Sequence, residues 1–466
     1  MSRRFARALA VAALVASGAP TASRAEFPGT SLLQLSAAPA RNPAISQDKR
    51  FARLAAFEAE TGGTTNVLVV RRAEPYGENG TPWHPGETVV ASAGMGGQHA
   101  NGPSTRPSLD GTSRVAPHCV AFVSAASNLV PGDTNGRPDA FLRDLRTGSI
   151  RRVSVDSRGR QSSGTVSEVA VNGLCTRVAF VSDAGDLALR RTRRPAWRTA
   201  VTRANPPGRR QAYVRAVGGS TGIDRALHGL TFLASATDRG RPADGDSHSL
   251  AFSTNARAVT FTSDARNLSS RDGNGATDVY QRVMTRRYGR RIHGRSVQRL
   301  HMDTRLVSAD GDGTAGAGAS HSTASNVDGS VVAFATTAAD LVHTGGHAQV
   351  AAATLQDDGP PRIRLASSAR GGQPGNGASG APSVSAGGSW VIFESQATNV
   401  GVTTQRRPDL NGVADAMLAT EPSGERWLLG ERGALGVTTN PMTSPHGNYV
   451  VFERGGHVHL LYVGPR

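Results

Sequence analysis

Residues Cys119 to Leu145 read CVAFVSAASNLVPGDTNGRPDAFLRDL, and this stretch decides the fold. The apolar run through Ala121-Phe122-Val123-Ser124 has the content of a buried strand. Asn128-Leu129 and Asp133-Thr134-Asn135-Gly136 supply turn residues. Ala140 to Leu145 alternates as a partner strand would. The same plan recurs, so the chain reads first as a set of repeats.

The recurring anchor is a Phe in a short apolar run. It stands at Phe57, Phe122, Phe180, Phe261, Phe334, Phe393 and Phe452. The five middle copies carry Asn or Asp six residues later, followed by Leu or Val: Asn128-Leu129, Asp186-Leu187, Asn267-Leu268, Asp340-Leu341 and Asn399-Val400. Each unit divides into four strands, A to D. In the second unit A lies near Arg106–Asp110, B near His118–Ser124, C at Asp139–Leu145 and D at Ser149–Val155. Strand B is the most apolar and belongs inside the sheet; C and D alternate with polar residues, as outer strands do. Four short antiparallel strands, seven times over, predict an all-β, seven-bladed β-propeller. The 55 Gly and the 5% aromatic content suit many tight turns rather than a helical bundle.

The ends predict how the ring closes. The seventh unit has A (Asn440–Ser444), B (Asn448–Arg454) and C (His457–Val463), but no D before the chain stops. Thr30–Ser36 (TSLLQLS) resembles the D strands and precedes a first strand A at Pro43–Ser46. It is therefore expected beside the C-terminal strand, completing the seventh blade and removing two exposed sheet edges.

Residues 1–25 read as an export signal. Arg3, Arg4 and Arg7 precede an apolar run, Ala8–Ser17, too short to span a bilayer, and Ser23-Arg24-Ala25 offers a small-residue cleavage site. The Arg3-Arg4 pair fits a twin-Arg route as well as an ordinary basic start. Residues 26–466 are expected to form one propeller, exported to a periplasmic or extracellular location, with no membrane span. The net charge is +16, but only Lys49 among 52 basic residues is Lys. So one-sided a choice is a coding habit more simply than a demand for nucleic acid, and nucleic acid is not expected as a partner.

Two long intervals hold basic inserts, expected as loops at 190–210 and 285–299. The first carries Arg190, Arg191, Arg193, Arg194, Arg198, Arg209 and Arg210 with Trp197. The second carries Arg286, Arg287, Arg290 and Arg291 with Tyr288. Either they are solvated loops, or they contact an anionic surface. Cys119 and Cys175 lead into consecutive anchor strands. Export permits a bridge between them; two buried thiols are the other reading.

The pieces PSVSAGGSWVIFES (Pro382–Ser395) and SNLVPGDTNGRPDAFLRDLRTGSIRRVSVD (Ser127–Asp156) resemble the WD40-like (PD40) repeats of TolB-type propellers. The Ser-Pro-Asp-Gly turn of that family survives in altered form at Ser46-Gln47-Asp48-Lys49, Ser108-Leu109-Asp110-Gly111, Asn326-Val327-Asp328-Gly329 and Ser444-Pro445-His446-Gly447. The resemblance implies the fold, and a protein or envelope partner.

D-x-N-G-x-x-D occurs at Asp133/Asn135/Asp139, Asp272/Asn274/Asp278 and Asp409/Asn411/Asp415. Oxygen side chains around a Gly turn suit a structural Ca²⁺. The simpler reading is an Asx turn opening strand C. Gly311–Gly316 matches G-x-G-x-x-G but precedes a strand, so no helix start awaits a phosphate. Gly218–Gly222 matches G-x-S-x-G but is expected in a C–D turn, away from any strand-to-helix elbow. His457 and His459 share a strand face without a third metal ligand. No nucleophile or acid–base set is evident, so no catalytic residue and no other cofactor is assigned. The expected function is a non-catalytic binding or scaffold module at the cell envelope. The alternative is a propeller enzyme, a lyase or glycoside hydrolase acting on an extracellular polysaccharide.

Overall fold

The computed structural model of the chain describes residues 23–24, 31–48, 52–74, 82–187, 205–206, 208–219, 222–292, 295–401, 409, 411–420, 424–429 and 437–463, and among these the side chains of 23–24, 222–223, 226, 286–292 and 295–300 are not described. Seven antiparallel sheets follow one another in chain order. The A strands are Ala40–Ile45, Ser104–Leu109, Val166–Val171, Ser247–Phe252, Ser320–Ser325, Ser379–Val384 and Thr438–Thr443. The B strands are Leu54–Thr61, Cys119–Ser124, Arg177–Ser182, Ala258–Ser263, Val331–Thr336, Trp390–Ser395 and Tyr449–Arg454. The C strands are Thr64–Arg72, Asp139–Asp144, Gln211–Ala216, Asp278–Ile292, Gln349–Thr354, Asp415–Thr420 and His457–Tyr462. Six D strands follow their own C strands: Pro85–Val90, Ile150–Arg152, Thr231–Leu233, Arg295–Leu306, Arg362–Leu365 and Arg426–Leu429. The seventh D strand is Ser31–Gln34, which pairs antiparallel with His457–Tyr462 from Ser31↔Tyr462 to Gln34↔His459. The ring is closed as the termini predicted. Ser23–Arg24 adds a short fifth strand outside it.

The seven anchor Phe side chains are 0–2% exposed. In three blades the anchor stacks on the residue paired with it on strand C: Phe122 on Phe141, Phe180 on Tyr213 and Phe261 on Tyr280, with ring centroids 5.7–6.0 Å apart. Apolar clusters lie between blades rather than within them. One joins Cys119 and Leu142 of blade 2 to Val178 and Phe180 of blade 3; another joins Phe57 of blade 1 to Tyr449 and Leu460 of blade 7. Each buried Phe contributes about 1.5–3 kcal/mol, and only a neighbouring sheet can supply the burial. A single blade therefore has no core of its own.

Cys119 and Cys175 are joined as a disulfide between blades 2 and 3. Arg72 crosses the closing seam, with its guanidinium carbon 5.2 Å from the Tyr449 ring centroid and Nη1 donating to the Tyr449 hydroxyl at 2.9 Å.

Two sequence expectations are corrected. The insert at 285–299 is not a loop: strands C and D of blade 4 run on as one long hairpin, Asp278–Ile292 against Arg295–Leu306, paired out to Ile292↔Arg295. Continuing the ladder satisfies backbone groups that a loop would leave to water. The C–D connection of blade 3 is more than a turn: it carries a short helix, Gly222–Leu227, that begins at the last Gly of the G-x-S-x-G match. Asp224 on that helix pairs with the buried guanidinium of Arg177. Ser220 lies outside the described residues, as do Arg190, Arg191, Arg193, Arg194, Trp197 and Arg198 of the first insert.

Candidate functional site at the channel mouth

Every strand A has a register irregularity against its strand B. In six blades the bulged residue has positive φ: Asn42, Arg106, Ser249, Ser322, Ala381 and Asn440, at 45–55°. A bulge re-aims its residue and leaves an amide outside the ladder. The seven A strands together line a central cavity of about 430 Å³.

In blades 1, 2, 4 and 7 an amide at the bulge is taken up by a glutamate of the preceding blade. Asn42 N donates to Glu453 Oε1 at 2.7 Å, Arg106 N to Glu58 Oε1 at 2.7 Å, Leu250 N to Glu168 Oε2 at 3.1 Å and Asn440 N to Glu394 Oε2 at 3.3 Å. The asparagines extend the chain of contacts. Asn42 Nδ2 donates to Glu58 Oε1 at 2.7 Å, and Asn440 Nδ2 to Glu453 Oε1 at 2.7 Å. Arg41 Nε reaches Glu58 Oε2 at 2.9 Å. Blades 6, 7 and 1 thus share one run of hydrogen bonds from Glu394 through Asn440, Glu453 and Asn42 to Glu58. Burial, with the neighbouring Glu453 charge adding to it, raises the Glu394 carboxyl above its usual range. The sequence held one signal for this arc: Glu58, Glu394 and Glu453 each directly follow an anchor Phe, in blades 1, 6 and 7 only.

The D-x-N-G-x-x-D turns lie away from the channel, and their final Asp belongs to a second ring of contacts. In each blade a hydroxyl after strand D, or at the start of the next strand A, faces a residue at the start of strand C, its first residue in six blades and its third, Asn66, in blade 1. Ser92 Oγ donates to Asn66 Oδ1 at 2.7 Å, Ser154 to Asp139 at 2.5 Å and Ser235 to Gln211 at 2.6 Å. Ser308 donates to Asp278 at 2.6 Å, Ser367 to Gln349 at 2.6 Å and Thr438 to Asp415 at 3.4 Å. In blade 7 Ser36, from the closing segment, lies 3.4 Å from His457 Nδ1. Each of these hydroxyls also accepts the next strand-C amide, from Val67, Ala140, Ala212, Val279, Val350, Ala416 and Val458 at 2.7–3.1 Å. Asp, Asn, Gln and His interchange at one position because each can face the hydroxyl. Where Gln replaces Asp, its amide does the work of the turn Asn. Gln211 and Gln349 donate to Ala243 O and Gly375 O, while Asn135 and Asn274 donate to the equivalent Ser162 O and Gly316 O.

In all three turns the Asn oxygen accepts an amide two residues on, from Arg137, Ala276 or Val413 at 2.8–2.9 Å, as an Asx turn requires. His457 is thus a latch residue. His459 stacks on Phe452 at 6.0 Å in place of the usual strand-C aromatic, and burial lowers its pKa to about 4. The G-x-G-x-x-G segment is the blade 4 copy of a D–A link that recurs after strand D of blades 2 to 5, marked by bridges Val155↔Gln161, Ala236↔Pro242, Ala309↔Ala315 and Ser368↔Pro374. The link ends on a Gly two residues beyond that motif, at Gly164, Gly245, Gly318 and Gly377, for a steric cause: a Cβ at Gly164 would meet Ala184 N at 2.5 Å, and at Gly318 Ala338 N at 2.7 Å. This second repeat was legible in the sequence beside the Phe anchor.

Among the described residues no helix is long and apolar enough to cross a membrane. No protein-family model and no curated protein matches the chain. Solved structures similar to it include TolB from Acinetobacter baumannii, at 12% identity and TM-score 0.35, covering 78% of this chain and 80% of that one. An acylaminoacyl peptidase from Pyrococcus horikoshii is 10% identical with TM-score 0.41, covering 90% of this chain and 49% of that one. A prolyl endopeptidase is 10% identical with TM-score 0.46, covering 89% and 45%. The chain spans about half the length of these two peptidases. Its own strand pairing makes it a seven-bladed β-propeller whose last blade is completed by an N-terminal strand.

Proposed function

We propose that the protein is an exported, non-catalytic propeller that binds an envelope protein or polymer over the channel mouth. One observation carries this reading: the glutamates at the mouth are engaged in holding bulged backbone. Glu58 accepts from Arg41, Asn42 and Arg106 N, and Glu453 from Asn42 N and Asn440. A general acid or base needs a free lone pair or proton within reach of a substrate, and these carboxylates are committed to the scaffold. The exposed arginines Arg41 and Arg106 stand at the same mouth and are suited to an acidic or hydroxyl-rich partner. The basic hairpin of blade 4 adds a salt-sensitive contact with an anionic surface.

The rival reading, a lyase or glycoside hydrolase, draws on Glu394, whose raised pKa next to Glu453 is the pattern of an acid beside a base. The test is capture from envelope extract by the mature chain, run beside a polysaccharide-degradation screen. Binding weakened by R41A/R106A, with no glycan cleaved, supports the binding module. Cleavage of any glycan that is lost in E394Q overturns it.

A further inference from the structure

The three D-x-N-G-x-x-D turns differ in what surrounds their two carboxylates. In blade 2 the pair is bridged by donors. Gln161 Nε2 donates to Asp133 Oδ1 at 2.8 Å and to Asp139 Oδ2 at 3.0 Å, and Arg152 Nη1 lies 3.8 and 3.7 Å from the same two residues. Arg152 pairs with Phe141 across the sheet. In blade 4 the residue at that register, opposite Tyr280, is Leu306, and in blade 6, opposite Met417, it is Leu428. The counterpart of Gln161 in blade 4 is Ala315. Among the described residues, blades 4 and 6 therefore keep both carboxylates without this bridging cross-strand cation, the charges acting on them being Arg266 on Asp272 and Arg454 on Asp415.

A cost is visible at the first Asp of each. Asp272 is 7% exposed and Asp409 1% exposed, and each keeps one buried oxygen, Asp272 Oδ1 and Asp409 Oδ2, with no hydrogen-bond partner. The other Asp272 oxygen takes the Tyr280 hydroxyl, and the other Asp409 oxygen the Asn411 amide at 3.0 Å. One Asn holds the second carboxylate in each turn: Asn274 Nδ2 donates to Asp278 Oδ2 at 2.8 Å and Asn411 Nδ2 to Asp415 Oδ2 at 2.9 Å. An orphaned, buried carboxylate oxygen beside a second carboxylate calls for positive charge. Oxygen-only donors around a Gly turn select a hard cation over zinc or copper.

We propose that the turns of blades 4 and 6 each bind one Ca²⁺-class cation, and that Arg152 performs the same neutralisation internally in blade 2. The donors in blade 4 are the carboxylates of Asp272 and Asp278, joined by the Gly316 carbonyl that Asn274 Nδ2 holds in the absence of the ion; waters complete the shell. In blade 6 Asp409 and Asp415 take the carboxylate roles. Ca²⁺ then stabilises the blades at the opening of strand C without taking part at the channel mouth.

The experiment uses the whole mature chain after chelator treatment, titrated with CaCl₂ by calorimetry and by Tb³⁺ luminescence excited through tyrosine. The wild type is expected to take up one Ca²⁺ per turn in blades 4 and 6. Its thermal transition should rise by about 6 °C at a hundredfold excess over Kd, about 3 °C for each site. D272N and D409N each abolish one site, D133N abolishes none, and L306R fills the blade 4 site with an internal cation and abolishes Ca²⁺ uptake there. Tyr280 adjoins the blade 4 site, so D272N also loses most of the sensitised Tb³⁺ emission. If D272N fails to fold, L306R and D133N still decide the matter. No uptake by the folded wild type, or uptake that survives both D409N and L306R in one chain, overturns the proposal.

Discussion

Leu32 offers the sharpest test of ring closure. It lies on the N-terminal strand, 5% exposed, in a cluster with Ile392, Leu418, Val450, Phe452 and Leu461. Those partners belong to blades 6 and 7, more than three hundred residues away in sequence. Truncating a buried Leu to Ala removes transfer free energy and leaves a cavity, together about 2–5 kcal/mol. The Leu32 surroundings are strands held by ladders on both sides, so collapse into the gap is limited and L32A should cost about 3 kcal/mol. Equilibrium urea unfolding, with the m-value held in view, is the assay. Met95, 44% exposed, is the control; M95A should stay within about 0.5 kcal/mol. S36A is a second arm, because it strips the acceptor from the buried Val458 amide and should cost about 1–3 kcal/mol. If L32A and S36A both unfold at the wild-type urea concentration with an unchanged m-value, the N-terminal strand does not close the ring.

The remaining expectations concern the latches, the bridge and pH. S235A should destabilise by about 1–3 kcal/mol, since the buried Ala212 amide and Gln211 oxygen both lose the hydroxyl; S163A, at an exposed site in the adjoining link, should not. Replacing Cys119 and Cys175 by Ser should lower stability by about 2–4 kcal/mol, because the bridge closes a loop of 56 residues; an unchanged thermal midpoint for the double variant would count against a formed bridge. The His459 pKa is lowered to about 4, so folding disfavours its charged form. Its stability contribution is present above about pH 6.5 and is lost as pH falls toward 4; solvent access limits it to about 1–2 kcal/mol. H459F should flatten that part of the stability–pH curve, and a parallel curve would sink the assignment. Asp278, raised to about 6 mainly by burial, acts in the opposite sense: ionising it costs stability above pH 6, and the penalty is gone below about 3.8. In chelator, D278N should therefore gain on the wild type at pH 7.5 and lose that advantage near pH 4.

The repeat could be read from one dimension because its signals are local. A Phe in an apolar run, a turn, and an alternating partner fit within one blade, and a sheet with one apolar strand per unit admits few architectures. Ser31–Gln34 could be assigned to the last blade because an unpaired edge at both ends of one chain has a single economical solution. The blade 4 insert misled because composition alone does not distinguish a basic loop from a basic ladder; the pairing continues through it to Ile292↔Arg295. The short helix at Gly222–Leu227 was missed for a similar reason, being too short for helical periodicity to register.

By itself, the sequence determined the period, the order of strands within each blade and the pairing of the two ends, since all of these follow from apolar alternation and edge satisfaction. Only the tertiary structure decided which polar side chains meet. Glu394, Glu453 and Glu58 become neighbours through Asn440 and Asn42 only when blades 6, 7 and 1 are brought round the ring. Likewise Asp133 and Asp272 sit in the same short motif, yet one faces Arg152 and the other keeps an orphaned oxygen. That difference is set by the cross-strand neighbour, Arg in one sheet and Leu in another, and strand register is a property of the folded sheet rather than of the turn it surrounds.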